Sequence, residues 1–119
     1  MNDLAVEELQ LLSFFAVEPA RADRDDVPWP YNEYAYRAEA GPYTVDFQIA
    51  PADKTLSLVV SRLGAELYLL KDMAVQDVRY HRGEGRETLE IRISKRGTLW
   101  FRLRPSLFIA QDGGEVSRG

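Results

Sequence analysis

Residues 86–104, RETLEIRISKRGTLWFRLR, decide the fold class because apolar and polar residues alternate on both sides of a turn. A period of two is typical of β-strands that bury one face. Three-residue hairpin loops favour a glycine at their third position, so Lys95, Arg96 and Gly97 are predicted to form the loop. The stretch therefore predicts an antiparallel hairpin.

The predicted loop also sets a register for this hairpin, in which Ser94 lies opposite Thr98. Six apolar residues then share one face: Leu89, Ile91, Ile93, Leu99, Phe101 and Leu103. On the other face the expected pairs are Arg92 with Trp100, Glu90 with Arg102, and Thr88 with Arg104. Loop chemistry and apolar pattern agree in this register.

The polar face of the hairpin has two interpretations. As an ordinary solvated face it holds a cation–π contact and an exposed ion pair, each worth at most about 1 kcal/mol. As a recognition face it presents tryptophan and arginine, which are enriched at interface hot spots, to an acidic protein, a phosphate or a stacked base. The predicted interaction face consists of Arg92, Trp100, Arg102 and Arg104.

The whole chain, residues 1–119, is predicted to be a single α+β domain. Helical spacing of apolar residues predicts a helix over residues 3–17, and residues 19–33 form a long, proline-containing connection. Alternation and turn residues predict an antiparallel β-meander of about six or seven strands over residues 34–109, packed against the helix. Residues 110–119 are predicted to be a flexible tail.

Two strands of the predicted meander, residues 56–63 and 66–70, are apolar on both faces. This pattern is typical of central strands that are covered on both sides. One helix covers only one side of a sheet. We therefore expect the second cover to be the long connection, a curl of the sheet or a partner subunit.

Aromatic residues are dense at the start of the meander and form a second candidate surface: Trp29, Tyr31, Tyr34 and Tyr36. Tyrosine and tryptophan combine a large contact area with a low rotamer cost, which favours a binding surface. The alternative is packing, in which the tryptophan fixes the proline-rich connection and the tyrosines lie on strand faces.

Composition limits the possible functions. The 119 residues include no cysteine, which excludes disulfides, thiol catalysis and cysteine-bound zinc. No apolar run is long enough to span a bilayer, and the acidic N-terminus does not resemble a secretory signal, so a cytoplasmic location is predicted. The excess of arginine over lysine points to a GC-rich bacterial genome.

The net charge of −4 is divided unevenly along the chain. Residues 1–60 carry four basic and eleven acidic side chains, whereas residues 61–119 carry eleven basic and eight acidic ones. An acidic chain argues against non-specific binding to nucleic acid, although a local basic patch is expected in the second half.

No motif in the sequence predicts catalytic residues, a cofactor or a metal. His81 is the single histidine and is interpreted as a surface residue beside a turn. The glycines of residues 83–88 fit a hairpin turn better than a phosphate loop, because no helix follows them. Asp23, Asp25 and Asp26 form a solvated cluster, with Arg21 and Arg24 close enough to neutralise it.

The function predicted from the sequence is a non-enzymatic protein-binding module of the immunity, adaptor or self-associating type. Its partner is a protein or a second copy of the chain. The alternative is a binder of a small molecule or nucleic acid, or an enzyme without a known signature, that uses a cleft between the helix and a curved sheet.

Overall fold

The computed structural model describes residues 4–21, 28–72, 75–93 and 97–112. These residues form one helix, one 3-10 turn (Trp29–Tyr31) and nine strands. The elements are α1 (Glu8–Phe15), β1 (Ala20–Arg21), β2 (Tyr34–Ala40), β3 (Tyr43–Ala50), β4 (Thr55–Arg62), β5 (Ala65–Asp72), β6 (Val75–Gly83), β7 (Arg86–Ile93), β8 (Gly97–Arg102) and β9 (Phe108–Asp112). The predicted α+β class is confirmed.

The strands follow meander order but divide into two antiparallel sheets. Strands β1 to β5 form the first sheet and β6 to β9 the second, each in sequence order. The described residues thus hold more strands than the six or seven predicted, because two short strands extend the sheets. These are β1, within the predicted connection, and β9, which includes Ala110 and Gln111 of the predicted tail. Residues 22–27 and 113–119 lie outside the described residues.

Helix α1 is shorter than the predicted helix over residues 3–17. It begins after Glu7, whose backbone N–H donates to Oε1 of Gln10 at 2.9 Å in a capping box. Before the helix, Leu4 and Val6 are buried, whereas Ala5 between them is exposed. This alternation is that of an extended segment, and position 3 lies outside the described residues.

Aromatic rings on α1 join the cores of both sheets. The ring of Phe15 stacks on Tyr36 of the first sheet, with 4.8 Å between centroids, and lies 5.0 Å from Phe47. The ring of Phe14 lies 5.4 Å from Phe101 of the second sheet. The space between helix and sheets is therefore filled, so the cleft required there by the ligand-binding alternative is absent from the described residues.

Strand β5 corrects the prediction of two central, doubly covered strands. Among the described residues it is the last strand of the first sheet, since the chain then crosses to the second sheet. Leu58 and Leu70 face the core and are buried, whereas Leu67 and Leu69 are 58% and 48% exposed. Described residues thus cover β5 on one face only.

No helix in the described part of the chain is both long and apolar enough to cross a membrane.

Candidate interaction face

Strands β7 and β8 form the predicted hairpin in a register different from the predicted one. Ile91 lies opposite Leu99 and Ile93 opposite Gly97, so the pairing is displaced by two residues. A displacement by two leaves every side chain on its predicted face, because side chains alternate with a period of two. All six predicted apolar residues are buried. Ser94, used to define the predicted register, lies outside the described residues.

Gly97 is predicted to be the third residue of the hairpin loop, but in the structure it belongs to strand β8. Its φ of 86° is in the left-handed region, and it is the first residue of β8. Glycine adopts this conformation without steric cost. Its presence is therefore compatible with either register, which explains why loop chemistry alone selects the wrong one.

The outward side of the second sheet is a regular array that we call the polar face. Arg79, Glu90 and Trp100 lie side by side on β6, β7 and β8. On one side of this row Asp77 pairs with Arg92. On the other side lie His81 and Thr88, with Arg102 and Phe108 on the next two strands.

Glu90 is the centre of the polar face and is only 5% exposed. Its Oε1 lies 2.7 Å from Nε2 of His81, and its Oε2 accepts a hydrogen bond from Nε of Arg92 at 2.8 Å. Burial raises the pKa of Glu90, but the hydrogen bonds from Arg92 and His81 more than offset burial and hold the pKa below its usual value. Glu90 is thus a buried carboxylate that positions two exposed side chains.

The rings of His81 and Trp100 meet above Glu90. Their centroids are 6.1 Å apart, although the residues belong to strands on either side of β7. Trp100 is half-buried and His81 is exposed. The two rings therefore limit solvent access to the carboxylate of Glu90, and both rings remain in contact with solvent themselves.

Arg102 is fixed by different partners from those predicted. Its Nε donates to Oγ1 of Thr88 at 2.9 Å, and its guanidinium lies 4.9 Å from the ring centroid of Phe108. Among the described residues, Arg102 does not form the predicted ion pair with Glu90, and Arg92 does not form the predicted contact with Trp100, because the register places different side chains opposite each other. Each arginine instead contacts a neighbour on or beside its own strand.

Arg104 does not belong to the polar face. Its guanidinium donates to the main-chain carbonyls of Ser13 and Phe14, at 3.1 and 2.8 Å, and to Oε1 of Glu87 at 2.9 Å. These carbonyls belong to the last turn of α1, where a positive charge is favourable. Arg104 therefore links the helix to the second sheet.

Glu87 completes this link between helix and sheet. Its Oε2 accepts hydrogen bonds from Oγ of Ser13 and from the hydroxyl of Tyr80, both at 2.5 Å. Burial raises the pKa of Glu87, but the bonds from Ser13, Tyr80 and Arg104 outweigh burial and lower the pKa. The cluster is structural, because it joins α1, β6 and β7 through one carboxylate.

The aromatic series does not form a single surface. Tyr34 and Tyr36 are buried in the core, and the ring of Trp29 lies 4.5 Å from that of Tyr34. Tyr31 is exposed. The packing interpretation therefore describes Tyr34 and Tyr36, and the Trp29 ring packs against Tyr34 at the end of the connection.

Two members of the polar face, Arg79 and His81, are missing from the sequence prediction. Both lie on β6, where Asp77, Arg79 and His81 alternate with inward residues such as Val78. That alternation is visible in the sequence. The hairpin turn predicted within residues 83–88 already places β6 beside β7, and extending that pairing to Glu90 brings both residues to its face.

A depression among the described residues lies away from the polar face. It is open to solvent, has a volume of about 480 Å³ and crosses β1 to β5 near Arg21, Gln48 and Lys71. In the ranges that the structure describes, no three His, Asp or Glu residues are grouped so as to hold a metal ion. Asp23, Asp25 and Asp26 lie outside those ranges.

Comparison with known proteins gives a fold relative. No protein-family model matches the chain, and no curated protein matches it. One chain of a solved structure, a contact-dependent growth inhibition toxin–immunity protein complex from Klebsiella pneumoniae 342, is similar with a TM-score of 0.76. The likeness covers 93% of this chain and 96% of that chain at 20% identity. At this identity the likeness shows a shared fold.

Proposed function

We propose that the chain is a non-enzymatic, protein-binding module of the immunity type, which holds a toxin-like partner on its polar face. The observation that carries this proposal is the array around Glu90, in which a buried carboxylate fixes His81 and Arg92 beside the half-buried Trp100. Tryptophan and arginine are the residue types that dominate binding energies at protein interfaces.

Rigidity of the polar face supports binding. Its side chains stand on neighbouring β-strands, and Arg92 and Arg102 are each held by a hydrogen bond from Nε. A side chain that is already ordered loses less conformational freedom when a partner docks. The polar face is thus suited to form a complex with little rearrangement.

The fold likeness supports the choice of partner class. The similar chain belongs to a complex between a toxin and an immunity protein, and the likeness covers nearly all of both chains. Function does not follow from fold alone, so this support is by analogy. Bacterial origin and a cytoplasmic location, both predicted from the sequence, belong to the same proposal.

The ligand-binding alternative has one supporting observation, the open depression of about 480 Å³ across the first sheet. Ligand sites have volumes in this range. They are usually enclosed, however, whereas this depression is open. Its test is a thermal-unfolding screen with small anions and nucleotides, in which a ligand that raises the Tm of wild type but not of Lys71→Ala supports the alternative.

A growth experiment tests the proposed function. The protein encoded next to this chain is expressed in a test bacterium, alone and together with this chain. We expect growth arrest without the chain and growth with it. The Arg102→Glu variant should fail to protect, whereas Arg37→Glu, on the outward face of the first sheet, should protect. Arrest in the presence of the folded wild-type chain would contradict the immunity type of function.

A further inference from the structure

Three arginines of the polar face share one arrangement, in which Nε is bound to an acceptor of the same sheet. The bonds are Arg79 to Asp77 at 2.9 Å, Arg92 to Glu90 at 2.8 Å and Arg102 to Thr88 at 2.9 Å. An arginine held through Nε keeps its side chain in place and leaves the two terminal nitrogens for other acceptors.

The terminal nitrogens of Arg92 and Arg102 have no hydrogen-bond partner among the described residues. Arg104 differs, because one of its terminal nitrogens is bound by two carbonyls and by Glu87. Both carboxylate oxygens of Glu90 are already bound, so Glu90 does not compete for an incoming group. Arg92 and Arg102 therefore offer pre-positioned pairs of N–H donors.

Paired donors of this kind match a carboxylate or a phosphate. The two terminal nitrogens of a guanidinium bind two oxygens in parallel, with a strength and geometry that lysine cannot reproduce. The two anions are distinguished by the charge of the whole chain. A polyanionic nucleic acid is repelled by a chain of net charge −4, whereas single carboxylates of a folded protein are not repelled over a long range.

The positions of the two arginines define what the partner must present. Arg92 and Arg102 flank the row of Glu90 and Trp100, one on each side. Sheet spacings place their Cα atoms about 14 Å apart, which is about four residues of extended chain. The half-buried Trp100 lies between them and provides an apolar contact.

We propose, on the basis of the function proposed above, that the partner binds the polar face through two carboxylates. One is held by Arg92 and the other by Arg102, with an apolar or aromatic group between them packed on Trp100. The acidic surface belongs to a protein, and its carboxylates are spaced like residues i and i+4 of an extended segment.

A peptide titration tests the carboxylate part of the inference on the full chain. The probe is a capped seven-residue peptide with glutamate at positions 2 and 6, phenylalanine at position 4 and serine elsewhere. Its matched control carries glutamine at positions 2 and 6. Binding is followed by NMR on labelled protein. We expect the glutamate peptide to shift the side-chain signals of Arg92, Arg102 and Trp100, and to bind roughly tenfold or more tightly than the control.

Variants separate bidentate binding from simple charge attraction. Arg92→Lys and Arg102→Lys keep the charge but lose the paired donors, so both should weaken peptide binding several-fold. Arg37→Lys should leave binding unchanged, because Arg37 is on the other sheet. Equal binding of the two peptides, or lysine variants that bind as tightly as wild type, would overturn the inference.

A second arm separates failure of this inference from failure of the proposed function. The protein encoded next to this chain is titrated against wild type, Trp100→Ala and the two lysine variants. Loss of binding with Trp100→Ala and with the lysine variants supports both the paired carboxylates and the proposed function. Loss with Trp100→Ala alone rejects the paired carboxylates and retains the polar face as the interface. Binding that none of these substitutions changes rejects the proposed function of the face.

Discussion

The imidazole of His81 forms a hydrogen bond with the carboxylate of Glu90, with 2.7 Å between Nε2 and Oε1. The contact links adjacent strands, and it holds an exposed ring against a carboxylate that is almost entirely buried. Arg92 binds the other oxygen of the same carboxylate. Two side chains of the polar face, His81 and Arg92, thus depend on the buried charge of Glu90, and this dependence leads to the first prediction.

Replacing Glu90 by glutamine should lower the free energy of unfolding by about 1–3 kcal/mol at pH 7, because a buried charge-assisted hydrogen bond is lost. The pKa of Glu90 in the folded protein lies below its usual 4.5. Its ionised form therefore stabilises the fold above pH 4.5, and this contribution is lost as the pH falls through the lowered folded pKa. Urea unfolding of wild type and Glu90→Gln at several pH values checks this expectation.

The difference between the two proteins should consequently be larger at pH 7 than at pH 3. Glu39→Gln, an exposed substitution on β2, is the matched control and should change the unfolding free energy by no more than about 0.5 kcal/mol. A Glu90→Gln variant as stable as wild type at pH 7 would refute the role assigned to Glu90.

Tyr36 leads to a prediction of increased stability. Its side chain is 1% exposed, and its hydroxyl has no hydrogen-bond partner among the described residues. An unpaired buried hydroxyl costs about 1–3 kcal/mol. Tyr36→Phe should therefore raise the free energy of unfolding by about 1 kcal/mol, as measured by urea unfolding, while retaining the stacking on Phe15.

Tyr80→Phe is the contrasting substitution, because the Tyr80 hydroxyl is bound to Glu87. It should lower the free energy of unfolding by about 1 kcal/mol. If both phenylalanine variants shifted stability in the same direction, the different environments assigned to the two hydroxyls would be wrong.

Arg104 is predicted to affect stability and not partner binding. Arg104→Ala removes the bonds to the last carbonyls of α1 and to Glu87, so it should lower the free energy of unfolding by about 1 kcal/mol. Arg37→Ala, which removes a long ion pair to Asp46 on the other sheet, should have almost no effect. Thermal unfolding compares the two variants, and partner titration should give wild-type affinity for both. Weakened binding by Arg104→Ala would place Arg104 in the interface after all.

The exposed leucines of β5 test the self-associating version of the module. Leu67 and Leu69 lie on a strand that ends its sheet among the described residues, which is where a second copy would bind. We expect light scattering to give a mass that rises with concentration for wild type. The double variant Leu67→Lys with Leu69→Lys should give the monomer mass. A wild-type mass of 13.6 kDa at every concentration would exclude self-association.

The sequence and the structure agree best where one face of a strand is buried. Alternation assigned every apolar residue of the β7–β8 hairpin to the correct face, but alternation is unchanged by a displacement of two residues. The register therefore depended on Gly97, whose left-handed conformation fits both pairings. Apolar composition gave a wrong position for β5, because this strand, the last of its sheet among the described residues, resembles a central strand in sequence.

The candidate site was predictable in part. Arg92, Trp100 and Arg102 were placed correctly on one face, since that conclusion needed only the period of two. Arg104 was misplaced because its side chain turns to the end of α1 beyond the last residue of β8. The predicted face omits His81 and Arg79 because it rests on the register of the β7–β8 hairpin alone, although the hairpin turn predicted within residues 83–88 already makes β6 the neighbour of β7.

The most direct test of the polar face as an interface is calorimetric titration of the protein encoded next to this chain against wild type and Trp100→Ala. Near-UV circular dichroism first confirms that the variant is folded. Truncation of a central interface tryptophan typically costs about 2 kcal/mol or more, so we predict at least roughly thirtyfold weaker binding by the variant. Equal affinity of the two folded proteins for that partner would contradict the proposal that this chain binds its partner through the polar face.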